Sequence, residues 1–198
     1  IWWISNNSTL EVGSTKSLSY VAIFMQMCLA LCAHDKIIFC EGNRMHENPY
    51  FNYLNLKPTK GEVLTIYSKK LKLNKIIHSG GLLVPLGNHY YSVGSTYDWV
   101  DVNNYYPTKE GKENLISILN KIITCEYTII DHQASLRPST IDRRALIGSH
   151  KQYKNMYILN GLGTRGVLLA PYLSKSLADS IYSSNKIKDE IDISRFKS

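Results

Sequence analysis

Residues 157–178 read YILNGLGTRGVLLAPYLSKSLA, and the reading of the fold turns on them. Met156, Tyr157, Ile158 and Leu159 form a short apolar run with strand character, which Asn160 and Gly161 end. Gly161, Gly163 and Gly166 follow in a G-x-G-x-x-G spacing, and the apolar segment after them reads as a helix. Glycines there admit positive φ and let a ligand touch the backbone. The first N–H groups of the helix are free to meet an anion or an electron-rich edge. The position does not suit a dinucleotide fingerprint. That motif opens a βαβ unit, and an acidic residue follows about 20 positions on, at the end of a second strand. Here the motif closes a domain. Glu190 has a workable offset, but no apolar strand precedes it.

Working outward, the chain has 198 residues, 44% hydrophobic and 20% charged, the values of a globular protein of one or two small domains. Fourteen tyrosines favour strands and stacking surfaces. The net charge of +7 suits an anionic partner such as a phosphate-bearing cofactor, a carboxylate substrate or nucleic acid. The basic residues are scattered, and the one dense cluster, Lys69, Lys70, Lys72 and Lys75, reads as a solvated edge. A nucleic-acid partner is therefore not expected. Cys28, Cys32, Cys40 and Cys125 show no C-x-x-C spacing and read as free thiols of a reducing, cytoplasmic compartment, with no metal site. Residues 21–33, VAIFMQMCLALCA, are too few to span a membrane and read as a buried helix. The opening IWWIS, without an initiating methionine, reads as the start of a fragment or a processed chain.

Residues 36–40, KIIFC, form a buried strand stopped by Glu41-Gly42, a strand end of the kind that meets ligands in open α/β sheets. From Gly61 the pattern changes to short alternating runs (62–67, 75–78, 81–86 and 89–93), with a hairpin signal at Gly87-Asn88. This predicts an antiparallel sheet of three to five strands. Residues 108–124 predict an amphipathic helix, with Leu115, Ile118, Leu119, Ile122 and Ile123 on one face and Thr108 as N-cap. Residues 127–132 predict a further strand. The fold class is α/β with an α+β insertion: 1–45 and 133–198 form one domain, and 46–132 an antiparallel one.

Arg137 lies between a strand and Pro138, which holds it extended. An arginine fixed at a strand end suits bidentate capture of a carboxylate, and equally a salt bridge to Asp131 or Asp142. His132 is either a base or a hydrogen-bonded structural residue. Tyr91, Tyr97 and Trp99 share a phase and either line a pocket or belong to the core. A nucleophile elbow, an H-E-x-x-H motif and a Walker loop are all missing from the sequence, so hydrolysis and phosphoryl transfer lack support.

Five segments stand in order: KIIFCEG, NPYFNYLNLKPTKGEVLTI, LLVPLGNHYYSVGSTYDW, DHQASLRPSTIDRRALIG and NGLGTRGVLLAPYLSKSLAD. Together, over residues 36–196, they resemble the carboxyl-terminal two-thirds of FAD-dependent amine oxidoreductases of the D-amino-acid oxidase and glycine oxidase type. The oxidase half of a bifunctional tRNA-modifying enzyme belongs to the same group. The resemblance implies a partial, Rossmann-like FAD-binding domain (1–45 and 133–198) and a substrate-binding domain (46–132). It implies FAD as cofactor, with Gly161, Gly163, Thr164, Arg165, Gly166 and Val167 over the flavin ring and Gly42 close to it. Arg137 would hold the carboxylate of a small amine or amino-acid substrate, with Tyr91, Tyr97 and His132 beside it. The reaction would be hydride transfer from the substrate α-carbon to flavin, a chemistry that asks the protein mainly to position the partners and needs no catalytic side chain. The family's opening strand and pyrophosphate-binding glycine motif have no counterpart before residue 36. The chain as it stands is therefore expected to bind FAD weakly or not at all, and to be inactive unless the missing part is supplied. Two other functions fit the same residues: a non-catalytic binding domain that keeps the fold, and an RNA-associated module.

Overall fold

The computed structural model describes residues 2–5, 36–99 and 105–196. The helix expected at 21–33 lies outside them. The chain forms two compact units, Ile1–Leu56 with Pro138–Ser198, and Lys57–Arg137.

The first unit is built on a four-stranded sheet, ordered β1 (Trp2–Ser5), β2 (Ile37–Cys40), β10 (Met156–Asn160) and β9 (Leu146–Ser149). β1 and β10 both pair in parallel with β2, Ile37 standing opposite Trp2 on one side and Met156 on the other. β9 runs antiparallel to β10. β2 and, up to its last residue Asn160, β10 are apolar because both of their faces are covered. Ile37, Phe39, Met156 and Ile158 point into one cluster, with Met45, Phe51 and Leu54. Ile38 and Leu159 point into the other, against Leu173 and Leu177. Those two leucines, one turn apart, form the buried stripe of α2 (Gly166–Tyr182).

Residues 46–56, expected in the middle domain, belong here instead. His150 explains why. Its Nδ1 accepts from the N–H groups of Gln152 and Tyr153, so Nε2 carries the proton and donates to Tyr50 O at 3.1 Å. Its ring also packs edge-on against Phe51. Burial pushes the imidazole pKa down, and the neutral ring fits this role. The other boundary falls at 137/138 rather than 132/133, because the strand that was expected to end at His132 continues to Arg137.

The second unit is an antiparallel six-stranded sheet. β4 (Ile77–His78), β5 (Leu82–Gly87), β6 (Tyr90–Gly94), β3 (Thr59–Tyr67) and β7 (Asp98–Trp99) follow in that order, and β8 (Thr128–Arg137) pairs with the other edge of β3. β3 alternates. Leu64 and Ile66 pack under α1 (Lys109–Ile122) with Leu115, Leu119, Tyr91 and Val93, while Val63, Thr65 and Tyr67 face the other way, only partly covered. Thr108 caps α1, accepting from Gly111 N at 3.0 Å. Full burial of each large apolar side chain contributes about 1.5–3 kcal/mol. Among the described residues no helix is long and apolar enough to cross a membrane.

Candidate functional site

In the first unit, the parallel strands β2 and β10 end side by side, and each turns at a glycine with positive φ: Gly42 at 58° and Gly161 at 70°. Asn160, 3% exposed, joins the two ends. It donates to Gly42 O at 2.9 Å and accepts from Gly161 N at 2.8 Å. Beyond Gly161 the chain is held close to residues 138–140. Gly163 (φ 54°) donates to Pro138 O at 3.0 Å, and a Cβ on Gly161 would stand 3.0 Å from Thr140 Cγ2 and Leu146 Cγ. A 3-10 turn, Gly163–Arg165, then feeds straight into α2.

Among the described residues, the start of α2 has no side-chain cap and no acidic residue in its first turn to meet its positive end. Val167 is 97% exposed and Leu168 77%. Two apolar side chains standing in solvent beside the start of a helix suit an aromatic, electron-rich ring system. Thr164 and Arg165 are exposed too, and Arg165 Nη2 donates to Arg143 O.

In the second unit, Arg137 and Trp99 flank Thr59 across three strands, on the face away from α1. Arg137 Nη2 donates to Ser95 Oγ at 2.6 Å, and the guanidinium lies 5.8 Å from the Tyr97 ring centroid. The Tyr97 and Trp99 rings meet edge-on at 6.0 Å. Gly61 makes room for this, since any Cβ there would overlap the guanidinium. Burial draws the Arg137 pKa down, countered by Tyr97 and Asp98, and an arginine stays protonated. Among the described residues no carboxylate comes within ion-pair distance of it. The salt bridge that the sequence left open is not formed: Asp142 pairs with Arg195, and Asp131 accepts from His132 N and Gln133 Nε2.

Two expected neighbours of Arg137 stand elsewhere. Tyr91, opposite Ile66 on β3, is 4% exposed in the α1-side core, and its hydroxyl donates to Leu71 O. His132, five residues from Arg137 on β8, faces the core side as well, with Nε2 donating to Glu62 Oε2 at 2.9 Å. Strand alternation puts both on the face opposite Arg137. Of the residues expected around the substrate, only Tyr97 lies beside it.

The sequence reading missed the centre of the His132 contact. Glu62, 1% exposed, also accepts from Thr108 N (2.9 Å), Thr108 Oγ1 (2.8 Å) and Lys60 Nζ (3.0 Å). Burial pushes its carboxyl pKa up, but the Thr108 hydrogen bonds and the Lys60 ammonium outweigh that and hold it below the usual range. The available signal was a charge at positions 60 and 62, in phase with the buried Leu64 and Ile66.

The FAD dependent oxidoreductase family model, DAO, matches residues 19–180. The chain belongs to the FAD-dependent oxidoreductase family. Within it, the chain is similar to a glycine oxidase of Bacillus licheniformis, 32% identical over 67% of this chain and 36% of that protein. It is also similar to the tRNA 5-methylaminomethyl-2-thiouridine biosynthesis bifunctional protein MnmC of Pseudoalteromonas atlantica, 25% identical over 77% of this chain and 26% of that one. Two solved structures share the fold. Iminodiacetate oxidase from Chelativorans has a TM-score of 0.67 at 18% identity, covering 80% of this chain and 46% of that one. Glycine oxidase from Bacillus cereus has 0.64 at 24% identity, covering 76% and 43%. The chain thus spans between about a quarter and a half of the length of these relatives.

Proposed function

We propose that this FAD-dependent oxidoreductase chain carries the flavin-ring seat and the substrate-carboxylate site of an enzyme that oxidises a small amine or amino acid. FAD, when bound, supplies the hydride acceptor. Gly42, Gly161, Gly163, Thr164, Arg165, Gly166 and Val167 would hold its ring: the glycines by leaving room for close backbone approach, the uncapped helix start by offering its positive end to an electron-rich edge. Arg137 orients the substrate through its carboxylate, and Tyr97 shields that pair from water. Positioning of this kind supplies much of the rate in a transfer that needs no proton relay from the protein.

The observation that carries this reading is Arg137. It is a half-buried guanidinium, fixed by Gly61, Ser95 and Tyr97, and given no carboxylate partner by the described residues. A cation held so, with both ring contact and hydrogen-bonding capacity, suits a planar anion. The test compares glycine with glycinamide as reductants of FAD in the full-length gene product. Bleaching of the flavin band by glycine and far less by glycinamide supports the reading, as does a rise of at least tenfold in the half-saturating glycine concentration for Arg137→Ala. Equal bleaching by the two compounds, unchanged in Arg137→Ala, contradicts it. The glycine oxidase relatives suggest the class of substrate.

A further inference from the structure

We infer that Asn160 is the positioning residue that locks the two glycine turns to one another, and that the cofactor seat depends on this lock. The inference rests on the reading of that site as the flavin seat. The two turns are held in different ways, the segment after Gly42 being anchored by the buried Met45. Gly161 sits on Leu146 and Thr140, with Gly163 tied to Pro138 just beyond it. Gly42 has nothing within 4 Å of where a Cβ would stand. The far end of its turn is held where Asn48 Nδ2 donates to Glu41 Oε2. At the near end the Gly42 carbonyl accepts from Asn160 Nδ2. One side chain therefore ties the Gly42 carbonyl directly to the start of the other turn.

Only a primary amide of this length does both jobs. It must donate to a carbonyl on one strand end and accept from its own neighbour's N–H on the other. Reversing the amide would set Oδ1 against the Gly42 carbonyl and Nδ2 against the Gly161 N–H, so the orientation is fixed by its partners. Aspartate keeps the acceptor and loses the donor, and alanine loses both. Leucine, which would suit a buried strand end, would leave the buried Gly161 N–H and the partly buried Gly42 carbonyl without this partner, a loss in both cases. Asn160 needs no contact with the cofactor for this role.

The experiment uses Asn160→Ala and Asn160→Asp in the full-length protein, followed by amide hydrogen exchange without cofactor and by FAD titration. In Asn160→Ala, exchange should quicken both in Gly42–Glu47 and in residues 161–166, with β9 and β10 unchanged, and the FAD dissociation constant should rise at least tenfold. In Asn160→Asp only Gly42–Glu47 should quicken, because the Gly161 N–H keeps its acceptor. Unchanged exchange in both turns, or FAD binding at the parent's affinity in Asn160→Ala, overturns the inference. Should Asn160→Ala fail to fold, Asn160→Asp decides: faster exchange confined to Gly42–Glu47 supports the lock, and no change there overturns it. If the parent protein binds no FAD, the reading of the flavin seat falls, and the exchange comparison still decides whether Asn160 locks the turns.

Discussion

Glu62→Gln is the substitution that most sharply tests how the second unit is held together. The change is nearly isosteric, so packing is preserved while the charge goes. In the native protein the carboxylate is 1% exposed and takes four contacts of 2.8–3.0 Å from Lys60, Thr108 and His132. The amide keeps one acceptor oxygen and presents an NH₂ where an acceptor is needed, and it withdraws the Glu62 charge from the buried Lys60 ammonium. Removing one partner of a buried pair costs about 3–5 kcal/mol. Disturbing the Thr108 cap adds about 1 kcal/mol. At roughly 4–8 °C per kcal/mol for a unit of this size, the melting temperature should fall by about 16 °C or more. The pH dependence adds a second signature. The folded carboxyl pKa is depressed, so its stabilisation is fully present above the unfolded value of about 4.3 and is lost as pH falls through the folded pKa. Glu62→Gln should remove that part of the acid sensitivity. Circular-dichroism melts of both proteins from pH 3 to 7 are the assay. A variant that melts with the parent at pH 7, and loses stability with the same acid slope, refutes the reasoning.

Three further outcomes follow from neighbouring geometry. Gly111→Ala, which in an ordinary helix interior stabilises by about 0.5–1 kcal/mol, should destabilise here, because the new Cβ overlaps the tethered Glu62 carboxylate; a raised melting temperature would contradict this. Gly61→Ala should displace the Arg137 guanidinium and raise the half-saturating substrate concentration as Arg137→Ala does, while the flavin stays bound; unchanged substrate saturation would show that the guanidinium can shift harmlessly. Burial, and then Glu41, raise the Cys40 thiol to about 11, so at pH 8 its alkylation by iodoacetamide should run roughly two orders of magnitude slower than that of a free cysteine; peptide mass spectrometry showing free-thiol rates would contradict the burial.

The parts legible in the sequence were those written by periodicity and by glycine. The apolar runs at 37–40 and 156–159 marked two buried strands, and the spacing from Gly161 to Gly166 marked a loop entering a helix. Thr108 and the 115–119 stripe marked the helix of the second unit. What periodicity does not carry is which residue stands opposite which across a sheet. Tyr91 and Tyr97 share odd numbers, yet Tyr91 lies in β6 while Tyr97 lies in the loop after it, past the strand where alternation applies. Residues 46–56 look polar and turn-rich, and only their packing on His150 shows which unit owns them. The Lys60–Glu62 pair was hidden because charges in a strand are ordinarily read as facing solvent. Asn160 looked like a strand breaker, since its two partners, 118 residues apart in one case, are visible only in three dimensions.

The central claim is that the glycine turns and the open start of α2 seat a flavin. Titration of FAD into the purified full-length protein, followed by visible absorbance and flavin fluorescence, tests it most directly when Gly161→Val is run beside the parent. The account predicts a bound flavin with a shifted, structured absorbance band in the parent, and loss of that species in Gly161→Val, whose side chain would meet Leu146 and Thr140 at positive φ. No bound species in the parent, or binding of equal affinity in Gly161→Val, would contradict it.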